Sequence, residues 1–317
     1  MQWPGGDDSW WKSDFGMNVS MRVENLTELS ALLLPDFKYA AGGLTVDGAI
    51  RRQAGNLGGA LIVSGANLTW RSAPIEELHA AIKLQGEEVN LLNFELTQGM
   101  DFLRGKGILR VGDTWAYDGE LHGRVRDLAK YSALLQPPLV SQPYAGGIDF
   151  DWSGKGSRNE REGKVQAQFR QLRPVRAQDV WAHPMSGRIV GTYDKNGVEV
   201  ESASLGDEQI EVRTSASFGD LGVRLSKLSV MHGQGTVLEG EALLPMDMWT
   251  AWPQLNWSDF LKGAGPAVLK ISAKGLNLGL LGRLPGMPRL IEGTLDGHWE
   301  MKGGVGSLEG SGALQLR

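Results

Sequence analysis

Apolar residues recur two apart through most of this chain. MNVSMRV (17–23), GALIVSG (59–65), ELHAAIKLQG (77–86), EVNLLNFELTQG (88–99) and GKGILRVG (105–112) read as successive strands. IDFDW (148–152), GKVQAQF (163–169), GVEVES (197–202), QIEVRTS (209–215), GVRLSKLSV (222–230), AVLKISAKG (267–275) and SLEGSGALQL (307–316) continue the series. A period of two places alternate side chains on opposite sheet faces, so each strand is expected to have one apolar and one wet face. Gly, Asp and Asn punctuate the runs at roughly hairpin length, which predicts antiparallel neighbours. The expected class is mainly β, an elongated antiparallel sheet with a few short amphipathic helices.

A second pattern interrupts the first. VENLTELSALLLP (23–35) and VRDLAKYSALLQP (125–137) match at Val, Leu, Ser, Ala, Leu, Leu and Pro. Asn25 with Glu28 three residues on is a cap and capping-box pair, followed by Leu26, Leu29, Leu32 and Leu33 at helical spacing until Pro35. Asp127 takes the cap in the second copy, with Leu128, Tyr131, Leu134 and Leu135 on one face and Pro137 as the stop. Helices of two or three turns are marginal alone and must dock on something. YAAGGLTVDG (39–48) and YAGGIDFDWSG (144–154) follow the two copies, and NLGLLGRLP (277–285) with EGTLDGHWEMKG (292–303) is a fainter third.

This repetition suggests a segment at 1–16, β blocks at 17–124, 125–247 and 263–317, and a Trp-rich linker at 248–262 within LPMDMWTAWPQLNWSDFLK (244–262).

Composition narrows the partners. Forty-four glycines in 317 residues, spread without a triplet period, suggest many tight turns. A net charge of −5 with no Lys/Arg run offers no field for nucleic acid. Without cysteine there is neither a disulfide framework nor a thiolate metal site. The longest uncharged runs, 53–70 and 131–148, contain four Gly and three Pro respectively and do not read as membrane spans. The opening MQWPGGDDSWWKSDFG does not read as a signal peptide, so an exported form is expected to need a targeting segment beyond it.

Catalytic chemistry finds little purchase. The five histidines (79, 122, 183, 232, 298) are at least 43 residues apart in sequence, and no zinc-protease, nucleophile-elbow or P-loop motif occurs. Gly105 with Gly107 and Gly233 with Gly235 lack the third glycine of a dinucleotide loop and read as turns or close strand packing. Glu87 and Glu88, and Asp7 and Asp8, read as solvated turn carboxylates. Eleven tryptophans admit a sugar-stacking reading, with Trp3, Trp10 and Trp11 near the terminus, but burial of large area is the simpler account. The N-x-[ST] triplets at Asn18, Asn25, Asn67 and Asn256 carry no expectation of a glycan. No catalytic residue, metal ligand or cofactor is expected.

The order of cap, L-x-x-L-x-x-L-L-P, loop, Gly-Gly and alternating strand resembles the AsmA-like superfamily, most closely its TamB-like branch. NLTELSALLLP with AGGLTVDGAI, DLAKYSALLQP with AGGIDFDWSG, and NLGLLGRLP with EGTLDGHWEMKG carry the resemblance, from about residue 17 to the end. It implies a bridge-like lipid transfer protein: a U-shaped, taco-like β-sheet groove with an apolar inner face, anchored in the inner membrane and crossing the periplasm. It also implies a non-enzymatic role in phospholipid transport and outer-membrane biogenesis, with acyl chains and an outer-membrane assembly protein as partners. No anchor helix is read in this chain, which suggests an internal segment, and the third repeat has lost some apolar spacing.

The candidate groove lining is Val19, Met21 and Val23; Leu109 and Val111; Ile148, Phe150 and Trp152; Val165 and Phe169; Val198 and Val200; Ile210 and Val212; Leu269 and Ile271; and Trp299 and Met301. Strand pattern alone favours an ordinary core for these residues, and only the resemblance points to a groove. The competing reading is a closed β-sandwich or β-solenoid, a binding or structural module that includes glycan binding among its options.

Overall fold

A computed structural model describes residues 14–27, 40–71, 73–112, 115–131, 144–175, 183–219, 222–244, 267–281, 292–304 and 307–317. The expected helical runs 28–35 and 132–137 and the Trp-rich linker 248–262 lie outside the described residues.

The described chain is nearly all strand: β1 (Phe15–Val23), β2 (Ala40–Gln53), β3 (Asn56–Trp70), β4 (Ala73–Gln85), β5 (Glu88–Gln98), β6 (Asp101–Arg110) and β7 (Ala116–Val125). There follow β8 (Tyr144–Ser157), β9 (Arg161–Pro174), β10 (Met185–Tyr193), β11 (Gly197–Gly206), β12 (Ile210–Gly219) and β13 (Gly222–His232). The last four are β14 (Gly235–Leu244), β15 (Ala267–Asn277), β16 (Thr294–Gly304) and β17 (Ser307–Leu316). All 17 belong to one open antiparallel sheet, the mainly β class expected from the alternation. A closed sandwich would need a second sheet to cover the first.

Two compact units divide the chain: Met1–Arg124 with Ser153–Arg161, and Val125–Trp152 with Glu162–Arg317. In the first, β1 to β7 pair in sequence order as a meander. In the second, β9 to β17 do the same. Hairpins make this topology inexpensive, because each strand meets a partner that is close in sequence.

Fourteen of the 17 strands were legible as alternating runs or their Gly-Gly continuations, and β7, β10 and β14 were not. These three read AYDGELHGRV, MSGRIVGTY and GTVLEGEALL, where glycine takes positions that the alternation reserves for an apolar side chain.

The expectation that glycines mark turns is corrected in the same way. Gly55, Gly86, Gly99 and Gly233 do sit in turns at positive φ, yet many others lie inside strands. A Cβ on Gly48 would stand 2.0 Å from the Ala60 carbonyl oxygen, and one on Gly187 at the same distance from that of Ser204. Close backbone approach, rather than turn geometry, excludes a side chain there.

Three bulges explain where the alternation slips. The ladders skip a residue at Leu92–Asn93, Glu201–Ser202 and Ser226–Lys227, between Leu91 and Phe94, Val200 and Ala203, and Leu225 and Leu228. An extra residue re-phases the strand, keeps its apolar side chains on one face, and increases local twist.

The repeated motif has matching geometry at each copy. The Asn25, Asp127 and Asn277 Oδ1 atoms accept from the backbone N–H two residues on, at 3.1, 3.1 and 2.9 Å. These are N-cap bonds. The described helix is short in the second and third copies, a 3₁₀ turn at Leu128–Tyr131 and an α-turn at Leu278–Leu281. Beyond the first two caps, Gly42 and Gly146 adopt φ of +106° and +112°, packed against Asn67 and Gln171, which themselves have φ near +50°. The separations, 146 minus 42 and 171 minus 67, are both 104 residues, so one bulged strand pairing has been built twice.

Candidate apolar binding face

Cross-strand register assembles the apolar positions into rows. In the first unit Val19, Gly48, Leu61, Ile82, Leu91, Gly107 and Gly119 lie opposite one another in turn across β1 to β7. The next row is Met21, Val46, Val63, Ala80, Phe94, Gly105 and Leu121, and the one beyond runs from Val23 through Leu44 to Gly123. On the other side, Met17, Ile50, Gly59, Leu84, Val89, Leu109 and Tyr117 form a fourth. None of these positions is charged.

The second unit repeats the arrangement. Val165, Gly191, Val200, Ala216, Leu225, Ala242, Leu269, Met301 and Gly310 form one row from β9 to β17. Ala167, Ile189, Ala203, Thr214, Leu228, Gly240, Ile271, Trp299 and Gly312 form another. Phe169 and Val212 fall in a third row with Gly187 and Leu205, and Val198 sits between Tyr193 and Phe218. Trp152 Nε1 donates to the Tyr193 hydroxyl at 3.0 Å, which puts Trp152 on this face. Ile148 and Phe150 share its side of β8 by the two-residue period.

The expected lining residues therefore share a face within each unit, and most are half-buried or exposed. Ile210 differs: it is 1% exposed and serves as packed core rather than as an accessible lining. Val111 lies one residue past β6, is 54% exposed, and donates its N–H to the Glu87 carbonyl at 2.7 Å. Only twelve hydrophobic side chains among the described residues are buried, and five of them are alanine. Among the described residues no helix layer or second sheet packs over this face, whereas sheets ordinarily bury such a face against one or the other.

Sequence reasoning admitted close strand packing at Gly105 and Gly107 but did not place glycines in the rows of this face. Gly105 sits beside Leu121, and Gly297 sits opposite Leu314. Counting glycine as an allowed face residue would have supplied the missing signal.

The opposite face is polar and cross-linked by charge. Arg104 meets Glu95 at 2.7 Å, Lys106 meets Glu120 at 2.9 Å, and Arg110 meets Glu88 at 2.8 Å. Lys270 bridges to Glu241, and that hydrogen bond raises its pKa, while the bond from Lys302 lowers that of Glu300. Such exposed pairs each contribute little, but they keep this face in water.

Elsewhere, Trp115 stacks on Tyr117 with centroids 6.1 Å apart. Among the described residues no group of three His, Asp or Glu side chains is placed to hold a metal ion. Among them, too, no helix is long and apolar enough to cross a membrane. No protein-family model, curated protein or solved structure matches the chain.

Proposed function

We propose that this chain is a lipid-shielding segment of an AsmA-like, TamB-like envelope protein, in which the apolar face of each unit covers phospholipid acyl chains in passage between inner and outer membranes. The observation that carries this reading is the set of uncharged cross-strand rows whose larger side chains are half-buried, from Val19 to Gly119 in one unit and from Val165 to Gly310 in the other. An acyl chain gains about 0.8 kcal/mol for each CH₂ removed from water, so contact with a few strands binds it usefully.

The role is passive. Apolar side chains and strand glycines present a surface without polar anchors, along which a chain slides while its head group stays hydrated. No residue performs bond chemistry, and direction and energy come from other components, including an outer-membrane assembly partner. The periplasmic setting and an inner-membrane anchor in the complete protein belong to the same proposal.

Extraction of the purified protein with organic solvent, followed by mass spectrometry, tests it. Co-purifying phospholipid at a reproducible stoichiometry is expected. A protein that carries no lipid, and takes none up from vesicles, refutes the reading.

A further inference from the structure

The polar face of the first unit carries a basin at the end where β2 turns into β3. By the two-residue period Arg51 and Gln53 of β2 point away from the apolar rows, and they share the polar face with Asn56, Gly58 and Ala60 of β3 and with Lys83 and Gln85 of β4. Register sets Gly58 between Arg51 and Gln85, and Ala60 between Ala49 and Lys83. The floor is therefore glycine and alanine, and the long polar side chains stand around it. A recess of about 980 Å³ opens there, lined by these residues.

The charge in the basin is one-sided. Among the described residues no carboxylate lines it, and neither Arg51 nor Lys83 has an ion-pair partner. The carboxylates nearest in the ladder are engaged elsewhere. Glu88, opposite Gln85 on β5, is held by Arg110 at 2.8 Å, and Asp47 accepts from the Ser20 hydroxyl at 2.8 Å. In the turns, Asp14 accepts from the Ala54 N–H at 2.8 Å, and the Glu87 carboxylate lies beside Gly112. The Arg51 side chain leans over the floor, with Nε 3.7 Å from where a Gly58 Cβ would stand. Strands about 4.8 Å apart put Arg51 and Lys83 roughly 12 Å apart at the backbone, so both long side chains reach one group held between them.

We propose that this basin binds a phosphorylated saccharide, with the phosphate between Arg51 and Lys83 and the sugar hydroxyls against Gln53, Asn56 and Gln85. A phosphate monoester carries about two negative charges near neutral pH, which matches the two cations. The guanidinium fork donates two parallel hydrogen bonds to phosphate. Carboxamides both donate and accept, as hydroxyls require, and the flat floor leaves room for a sugar ring that bare phosphate would not fill. The site lies on the face opposite the apolar rows and stands independently of the lipid-shielding reading.

The test is calorimetric titration of the full chain with glucose 6-phosphate, glucose and inorganic phosphate. Glucose 6-phosphate should bind at least tenfold more tightly than either of the others. Arg51→Gln and Lys83→Gln should each weaken it tenfold or more, and Arg51→Lys should restore part of the loss. Gly58→Leu fills the floor, where an added Cβ meets nothing closer than 3.7 Å, and should abolish binding with an unchanged urea unfolding midpoint. Lipid recovered by solvent extraction should be the same in Arg51→Gln as in the wild type, which separates this site from the apolar face. No binding of glucose 6-phosphate, or unchanged binding in Arg51→Gln or Gly58→Leu, overturns the assignment. Equal affinity for inorganic phosphate also overturns it, because a bare anion site does not read the sugar.

Discussion

Replacing Leu269 by aspartate separates an open apolar face from a closed core. Leu269 is half-buried, opposite Ala242 on β14 and Met301 on β16. Full burial of a leucine is worth about 1.5–3 kcal/mol, so a half-buried one forfeits about 1 kcal/mol on removal. The new carboxylate keeps water on its exposed side and escapes most of the penalty for burying a charge. Leu269→Asp should therefore lose about 1–2 kcal/mol, with an unchanged denaturant slope in equilibrium urea unfolding.

Ile210→Asp is the internal control. At 1% exposure it must bury the charge outright and should lose at least about 4 kcal/mol or fail to fold. Lipid extracted from folded Leu269→Asp should fall well below the wild-type level. A loss of about 4 kcal/mol or more at Leu269, matching Ile210, would show that this face is closed core and refute the reasoning. Phe150→Asp on β8 should behave like Leu269→Asp in both measurements.

Other outcomes follow from local geometry. A Cβ at Gly187 meets a backbone carbonyl at 2.0 Å, so Gly187→Val should cost about 2–3 kcal/mol by thermal or urea unfolding; a neutral result would show that the sheet does not need this close approach. Gly42→Ala and Gly146→Ala put side chains at φ +106° and +112° and should each cost about 2 kcal/mol, the near-equality being the mark of a duplicated structure. Asp194 has its pKa lowered, first by the hydrogen bond from the Asn196 N–H at 2.7 Å, with that from Gly197 at 3.0 Å adding to it. Its contribution to stability is present above the ordinary aspartate value and is lost as pH falls through the lower folded value. Carboxyl NMR titration should find Asp194 below the ordinary aspartate value, and an unshifted titration would remove this turn from the acid limb of stability. Asp127→Ala deletes a cap bond of 3.1 Å and should cost about 1 kcal/mol in urea unfolding.

Much of this protein was legible because one elementary rule governs it. A period of two in the apolar residues announced the strands, and the recurrence after Asn25, Asp127 and Asn277 announced a reused unit. The rule failed where glycine replaced an apolar face residue, as in Gly187 and Gly191 of β10, and where a bulge slipped the phase, as at Leu92–Asn93. Both failures have one origin. Alternation is a property of a single strand, whereas close approach and bulging answer to the neighbouring strand.

The sequence by itself determined which residues of each strand share a side, and hence that Leu269 goes with Ile271 and Trp299 with Met301. Only the tertiary structure decided that these pairs face each other across β15 and β16, that the rows extend from β9 to β17, and that Ile210 packs away while Val212 stays half-buried. Register and coverage depend on contacts between residues far apart in the chain, and a local pattern holds no information about what lies opposite or above it.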